Sequence, residues 1–343
     1  MNNSSSRIIG ADIIRTIAII CVIGGHFFTV NTPYNACQEC DWSLFTQGFL
    51  KTFMSHVGVP FFLMLSGYLC VYKTCSTKYY KGIVKVIVPY VVISCITWAT
   101  LYNNHTIKDL IRGILGFSTI NYAWYVEMYI GLFLLIPFIN IVVQQVYKDG
   151  KSWYLIATLL FLTALPPLLN RADIKLVPGF WMMTFPLTFY FFGALVRLHQ
   201  PHLKKKLLWL LVVFAITCLT PVSKYLLLWV IGQDISITGS YYSIINTIPT
   251  VILFVLLYDI ENVNRIVTKV SSTTALYAFE IFLWSYLFDR LVYPFFISRF
   301  YNNQSDFIVW FVPIVLIVFL LSLVSAIIYK SVFKLIERIR ISK

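Results

Sequence analysis

The stretch Asp12–His26, DIIRTIAIICVIGGH, sets a charged pair and a histidine inside an otherwise apolar run. That run extends from Ile8 to Val30, long enough at ~1.5 Å per residue to cross a bilayer. Eleven positions separate Arg15 from His26. At ~100° per residue the two share one helix face, about 16 Å apart along the axis. Asp12, one turn before Arg15, lies near the same line. Charges in hydrocarbon cost about 2.5 kcal/mol or more for a central Arg or Asp, so such a line reads first as a functional site. A competing reading makes Asp12 and Arg15 an interfacial pair snorkelling to the headgroups, with a packed histidine higher up.

Composition extends this reading to the whole chain. Of 343 residues, 59% are hydrophobic, 17% aromatic and only 12% charged, against about 25% charged in a soluble domain. The fold class expected is an all-α, polytopic membrane helical bundle forming a single domain over 1–343. No soluble extramembrane domain, internal repeat or low-complexity tract is visible. The opening run is too long for a signal peptide and has no small-residue cleavage site before Asn31, so it is expected to remain as the first span. Nine further spans follow, at about 53–72, 83–102, 124–146, 152–169, 179–198, 207–230, 241–260, 272–296 and 307–330.

The net charge of +13 does not point to nucleic acid, because the basic residues sit between apolar segments. Eighteen of the 27 Lys and Arg fall at the N-terminus, in alternate loops and in the tail KSVFKLIERIRISK. By the positive-inside rule both termini are therefore expected to be cytoplasmic. The basic amphipathic tail is expected to lie on the anionic inner leaflet. Of seven cysteines, Cys21, Cys70, Cys95 and Cys218 read as small packing residues. Cys37 and Cys40, in the loop sequence CQEC, have the spacing for an external disulfide; without a second pair or a nearby histidine they make a weak metal site.

Two outer loops are expected to be long, Asn31–Lys51 and Asn103–Ala123. The second contains TIKDLIRGILGF, whose Ile107, Leu110, Ile111, Ile114 and Leu115 have the spacing of a short surface helix. Loops of this length either bind something or cover helix ends.

Further polar groups interrupt the apolar spans. In GVPFFLMLSGYL, Ser66 and Gly67 read chiefly as small packing residues, since LSGY is not a nucleophile elbow. His56, just before, is a candidate second polar group of an outward-facing site or an ordinary interfacial histidine. Trp124 opens a helix at an interfacial position, and Glu127 follows one turn in. Glu127 suits orienting a substrate hydroxyl or holding His26, and equally an ion pair with Arg112 or Lys108. Glu280, in YAFEIFLWSY, lies in the inner half of its span and is the costlier group, whereas Asp289-Arg290 reads as interfacial. No Walker loop, dinucleotide fingerprint or H-E-x-x-H is present, which leaves metal enzymes and ATP-driven pumps without support.

These elements, in this order, resemble the membrane acyltransferase type 3 family. ADIIRTIAIICVIGGH is similar to that family's first helix, with its Arg-x10-His signature at Arg15 and His26 and a match at Asp12. PFFLMLSGYL resembles its second-helix Phe-Phe and Ser-Gly element, AWYVEMYIGLFLLIP its Trp-led helix, and YFFGALVR a later Phe- and Gly-containing helix. Near Tyr277 many members read Tyr-Leu-Ile-His. This chain reads YAFE, with Glu280 where the histidine would fall, so that histidine's role does not transfer.

The resemblance implies a plasma-membrane O-acyltransferase, with acetyl-CoA or another cytoplasmic acyl-CoA as donor substrate and no bound cofactor. The acceptor implied is a hydroxyl of an envelope glycan or glycolipid. Arg15 would hold the donor and His26 would act as general base. Asp12, Glu127, Trp124, Ser66, His56 and Glu280 complete the expected site. An extended pantetheine arm is on the order of 15–20 Å, comparable with three helical turns. A glycan transporter is the alternative, since a ten-helix body with intramembrane Asp, Arg, His and Glu also suits a permeation path. Membrane lipids are the remaining expected partners, and oligomeric state is left open.

Overall fold

Lipid offers no hydrogen bonds, so each apolar run must satisfy its own backbone, and each has closed into a helix. The computed structural model describes residues 7–32, 42–102, 106–170, 175–232 and 240–341, and contains no strand among them. In chain order its longer helices begin with α1 (Ile9–His26), α2 (Trp42–Cys70), α3 (Val84–Leu101), α4 (Ile107–Leu115) and α5 (Trp124–Lys148). Then follow α6 (Ser152–Leu159), α7 (Phe185–His199), α8 (Lys206–Ile231), α9 (Ile244–Leu257), α10 (Arg265–Phe300) and α11 (Phe311–Ile341). Among the described residues, nine helical segments are long and apolar enough to cross a bilayer. The fold is thus an all-α polytopic bundle.

Two boundaries differ from expectation. The eighth expected span, 241–260, is the 14-residue helix α9, because Tyr241 and Tyr242 are drawn into a turn closed by Ser243 N–H to the Ser240 carbonyl at 2.9 Å. Conversely α2 starts at Trp42 rather than near 53 and runs for 29 residues, so the second half of the expected outer loop is helix. Aromatic contacts hold this extension against α8, Phe45 with Tyr225 at 6.0 Å and Phe49 with Phe214 at 5.3 Å. Cys37 and Cys40 lie outside the described residues.

The chain divides into two compact units, Met1–Thr74 with Leu135–Ala275, and Cys75–Leu134 with Leu276–Lys343. The first unit is organised on the crossing of α2 and α7. A Cβ on Gly67 would lie 1.9 Å from the Tyr190 carbonyl oxygen, and one on Gly193 would lie 1.8 Å from that of Met64. The two backbones touch at reciprocal glycines, as small residues permit in lipid. Asn140 of α5 closes the end of α2, donating to the Cys70 and Lys73 carbonyls at 2.7 and 2.8 Å and accepting from the Tyr190 hydroxyl at 2.6 Å. Helix α1 lies along the other side of α2, where a Cβ on Gly58 would sit 3.0 Å from Val22 Cγ2.

In the second unit the expected surface helix is α4. A capping box between Thr106 and Asp109 starts it, and the Tyr90 hydroxyl ties its Ile114 carbonyl to α3 at 2.9 Å. Ile107, Ile111 and Leu115 recur every four residues and remain exposed, an apolar stripe suited to the bilayer interface.

Substituting Gly67→Ala or Gly193→Ala is expected to destabilise the protein by at least about 1–3 kcal/mol, the cost of overpacking against rigid backbone. Thermal unfolding in detergent would show this as a lowered midpoint. Because both changes open the same crossing, the double variant should lose less than the sum.

Candidate functional site

Helix α1 carries Asp12, Arg15 and His26 on one uninterrupted α-helical segment, as their spacing predicted. Asp12 is buried, and its first partner is Arg7 rather than Arg15. The Arg7 guanidinium donates through Nε to Asp12 Oδ2 and through Nη2 to the Ser272 carbonyl at 2.5 Å. Ser272 Oγ adds a bond to Asp12 Oδ2 at 3.2 Å, and Thr16 Oγ1 reaches the Ser271 carbonyl at 3.2 Å. Arg15 approaches Asp12 Oδ1 only to 3.9 Å and keeps 29% of its side chain exposed. Asp12 therefore clamps the start of α1 to the start of α10. Arg15 lies one turn further along α1 with part of its side chain exposed. Toward the same end, Arg197 Nη1 donates to the Tyr68 hydroxyl at 3.1 Å with its guanidinium 5.0 Å from that ring's centre.

His26 is the last residue of the α-helical segment. A single π-turn, Phe27–Asn31, follows it, a local widening often found at functional positions. The side chains of Thr29, Asn31 and Thr32 bond the carbonyls of Gly25, His26 and Phe27 at 2.9, 3.3 and 2.6 Å. His26 is thus half-buried, on a helix end whose backbone is held by three side chains. Hydropathy alone extends the run through Val30 and carries no sign of this turn.

The other expected residues are distributed unevenly. Ser66 donates its hydroxyl proton to the Phe62 carbonyl at 2.8 Å, the usual local bond of a serine in a membrane helix. His56 is fully buried, but on a different face from the α1 contact. Gly58 meets Val22, and a Cβ on Gly25 would lie 3.8 Å from Met54 Cβ, so positions 54 and 58 face α1. Position 56, two residues from either, is turned about 200° away.

Trp124, Glu127 and Glu280 belong to the second unit. Trp124 is partly exposed at the head of α5, and Glu127 is exposed with no ion pair to Arg112 or Lys108 among the described residues. Glu280 is buried and engaged: Lys330 of α11 lies 3.0 Å from its Oε2, donates to the Leu276 carbonyl at 2.5 Å and stands 4.9 Å over the Tyr277 ring. A residue counted with the basic tail is thus the counter-ion of an intramembrane carboxylate. Asp289 is only 1% exposed rather than interfacial, and it accepts from the Tyr122 hydroxyl at 2.5 Å. Its neighbour Arg290 turns instead to the Tyr286 ring, 5.4 Å from its centre, because adjacent helical positions diverge by about 100°. No group of three metal-ligating side chains occurs among the described residues.

The described helices make this a multi-pass helical membrane protein with Arg15 and His26 on its first span. A family model described as an acyltransferase domain matches residues 8–327, nearly the whole chain, and the protein belongs to the acyltransferase 3 family. No curated protein and no solved structure matches it.

The Glu280–Lys330 pair yields a clear expectation. Lys330→Met strands a buried carboxylate and should destabilise by about 3 kcal/mol, whereas Glu280→Met with Lys330→Met removes both charges and should recover most of the loss. Denaturation midpoints of the single and double variants check this.

Proposed function

We propose that this acyltransferase moves an acyl group, most simply acetyl, from cytoplasmic acyl-CoA to a hydroxyl of a cell-surface polysaccharide or lipid-linked glycan, working in the plasma membrane. The observation that carries the reading is the placement of a partly exposed Arg15 and a half-buried His26 on one continuous helix. About 16 Å separates them, the length of a pantetheine arm in order of magnitude. Arg15 engages the anionic part of the donor, and the Asp12–Arg7–Ser272 clamp fixes the helix that carries it. His26 accepts the proton of the acceptor hydroxyl as the oxygen attacks the thioester carbonyl. The carbon–sulfur bond then breaks, and the thiolate leaves to take up the proton. Direct transfer needs no covalent acyl-enzyme.

Ser66 and Glu280 already have partners that account for them and are better read as structural.

Incubation of membranes with labelled acetyl-CoA is expected to leave stable label in a glycan fraction. His26→Ala should lower that rate by about 10²–10⁴, the range of general-base catalysis. Arg15→Ala should raise KM for acetyl-CoA, with Arg15→Lys restoring part of the loss. A His26→Ala protein that inserts normally and transfers at the native rate would sink the assignment. Mass analysis of envelope glycans with and without the protein should differ by one acyl unit.

A further inference from the structure

An arginine at membrane depth is costly, and a fold that keeps one there almost always turns it to a polar interior and pairs it. In the second unit Arg290 of α10 has the depth of such a residue without the pair. Its depth follows from α11. Positions 308–329 are helical and carry no charge, about 33 Å of apolar helix against a hydrocarbon core of about 30 Å. Helix α10 runs back along this stretch and is tied to it at both ends. Lys330 lies 3.0 Å from Glu280, and Trp310 stacks on Phe300 at 4.2 Å. Arg290 stands ten residues from Glu280 and ten from Phe300. It is therefore about 15 Å from either tie, near the middle of the bilayer.

Long side chains usually escape hydrocarbon by stretching to the headgroups. Arg290 instead folds back one turn along its own helix, where its guanidinium lies 5.4 Å from the centre of the Tyr286 ring and within hydrogen-bonding reach of that hydroxyl. The Tyr286 hydroxyl meets the Tyr102 hydroxyl at 3.2 Å, and the Tyr122 ring stands edge-on to Tyr286 at 5.1 Å. The one carboxylate nearby in sequence, Asp289, points about 100° away and takes the Tyr122 hydroxyl. Arg290 is exposed and has no ion pair among the described residues. Tyrosine hydroxyls solvate this cation but leave its charge unmatched.

We propose that Arg290, with the Tyr286 and Tyr102 hydroxyls, binds an oxyanion carried by the acceptor, either a phosphate or a carboxylate. A guanidinium presents five donors in a planar fork, and the Tyr286 hydroxyl occupies only part of it. The remaining donors match two oxygens of one anion, and charge-assisted pairs of this kind are the strong ones. A neutral sugar hydroxyl would leave the charge as it is. Ordinary phospholipid headgroups sit about 15 Å away at the interface, so an anion that belongs to an entering substrate fits the depth better. That the acceptor carries it rests on the transferase reading above; the oxyanion site itself does not.

Thermal unfolding of the purified full-length protein in neutral detergent tests this. Inorganic phosphate and glucuronate are the probes, each against chloride at equal ionic strength. The wild-type midpoint should rise saturably, by about 2–4 °C at ten times the half-saturating concentration. Tyr102→Phe, at a half-buried position, should raise that concentration about fivefold, the worth of a neutral hydrogen bond. Arg290→Gln should abolish the rise while unfolding in chloride no earlier than wild type, because it removes an unmatched charge; a merely structural arginine would lower that midpoint. A response to phosphate alone or to glucuronate alone upholds the site and tells an acceptor phosphate from an acidic sugar. No saturable rise with either anion overturns the proposal, as does an equal rise in Arg290→Gln. A tighter, Arg290-dependent response to coenzyme A would give the site to the donor and overturn its assignment to the acceptor. Since no transfer is read, a failed transferase reading appears separately, in the labelled acetyl-CoA experiment.

Discussion

Backbone contact at Gly67 and Gly193 is the constraint on which the first unit depends. Apolar side chains gain nothing from each other that lipid does not also offer, so helices in a bilayer associate through close packing and polar bonds. Two glycines facing the opposite helix's carbonyls bring α2 and α7 as close as helices can come. That contact sets the depth of α2. From there Asn140 caps its end, Gly58 admits Val22, and α1 acquires the position at which Arg15 and His26 are presented. The two sequence elements that carry glycine, LSGY and FFGA, are thus halves of one joint.

Polar groups within the bundle fall into two kinds. Asp12, Glu280 and Asp289 are buried carboxylates with identifiable donors: Arg7 and Ser272, Lys330, and Tyr122. Through Ser272, Lys330 and Tyr122 each carboxylate is joined to a segment distant in the chain, and each is accounted for as architecture. Glu127, exposed and without an ion pair among the described residues, is not accounted for this way. Neither is Arg290, exposed and likewise without an ion pair among them. A group that the fold leaves unpaired, at the cost of desolvation, is where a ligand has something to gain.

Much of this was legible in the chain. Apolar runs of about twenty residues announce spans with little ambiguity, since composition rather than packing decides insertion. The alignment of Arg15 with His26 followed from helical periodicity alone. The early start of α2 did not, because WSLFTQGF is too mixed in polarity to read as a span; aromatic contacts with α8 hold it. Partner choice was equally hidden. Arg7 stands only five residues from Asp12, yet its role depends on Ser272, a residue from the far end of the chain. Lys330 reads in the sequence as one more cation of a basic tail, because its carboxylate partner is set by the packing of α11 on α10. The face occupied by His56 depended on which positions of α2 meet α1, and only packing reveals that.

The Glu280–Lys330 pair has a consequence for biogenesis. The carboxylate belongs to α10 and its counter-ion to α11, the next long helix to be synthesised. Until α11 arrives, α10 carries an uncompensated acidic group, worth roughly 2.5–3.5 kcal/mol against insertion at mid-membrane. The favourable order is for α10 to remain at the translocation channel and enter lipid together with α11 as a neutral hairpin. The last two spans would then integrate as one event, and truncation before Lys330 should leave α10 poorly anchored although its own sequence is unchanged.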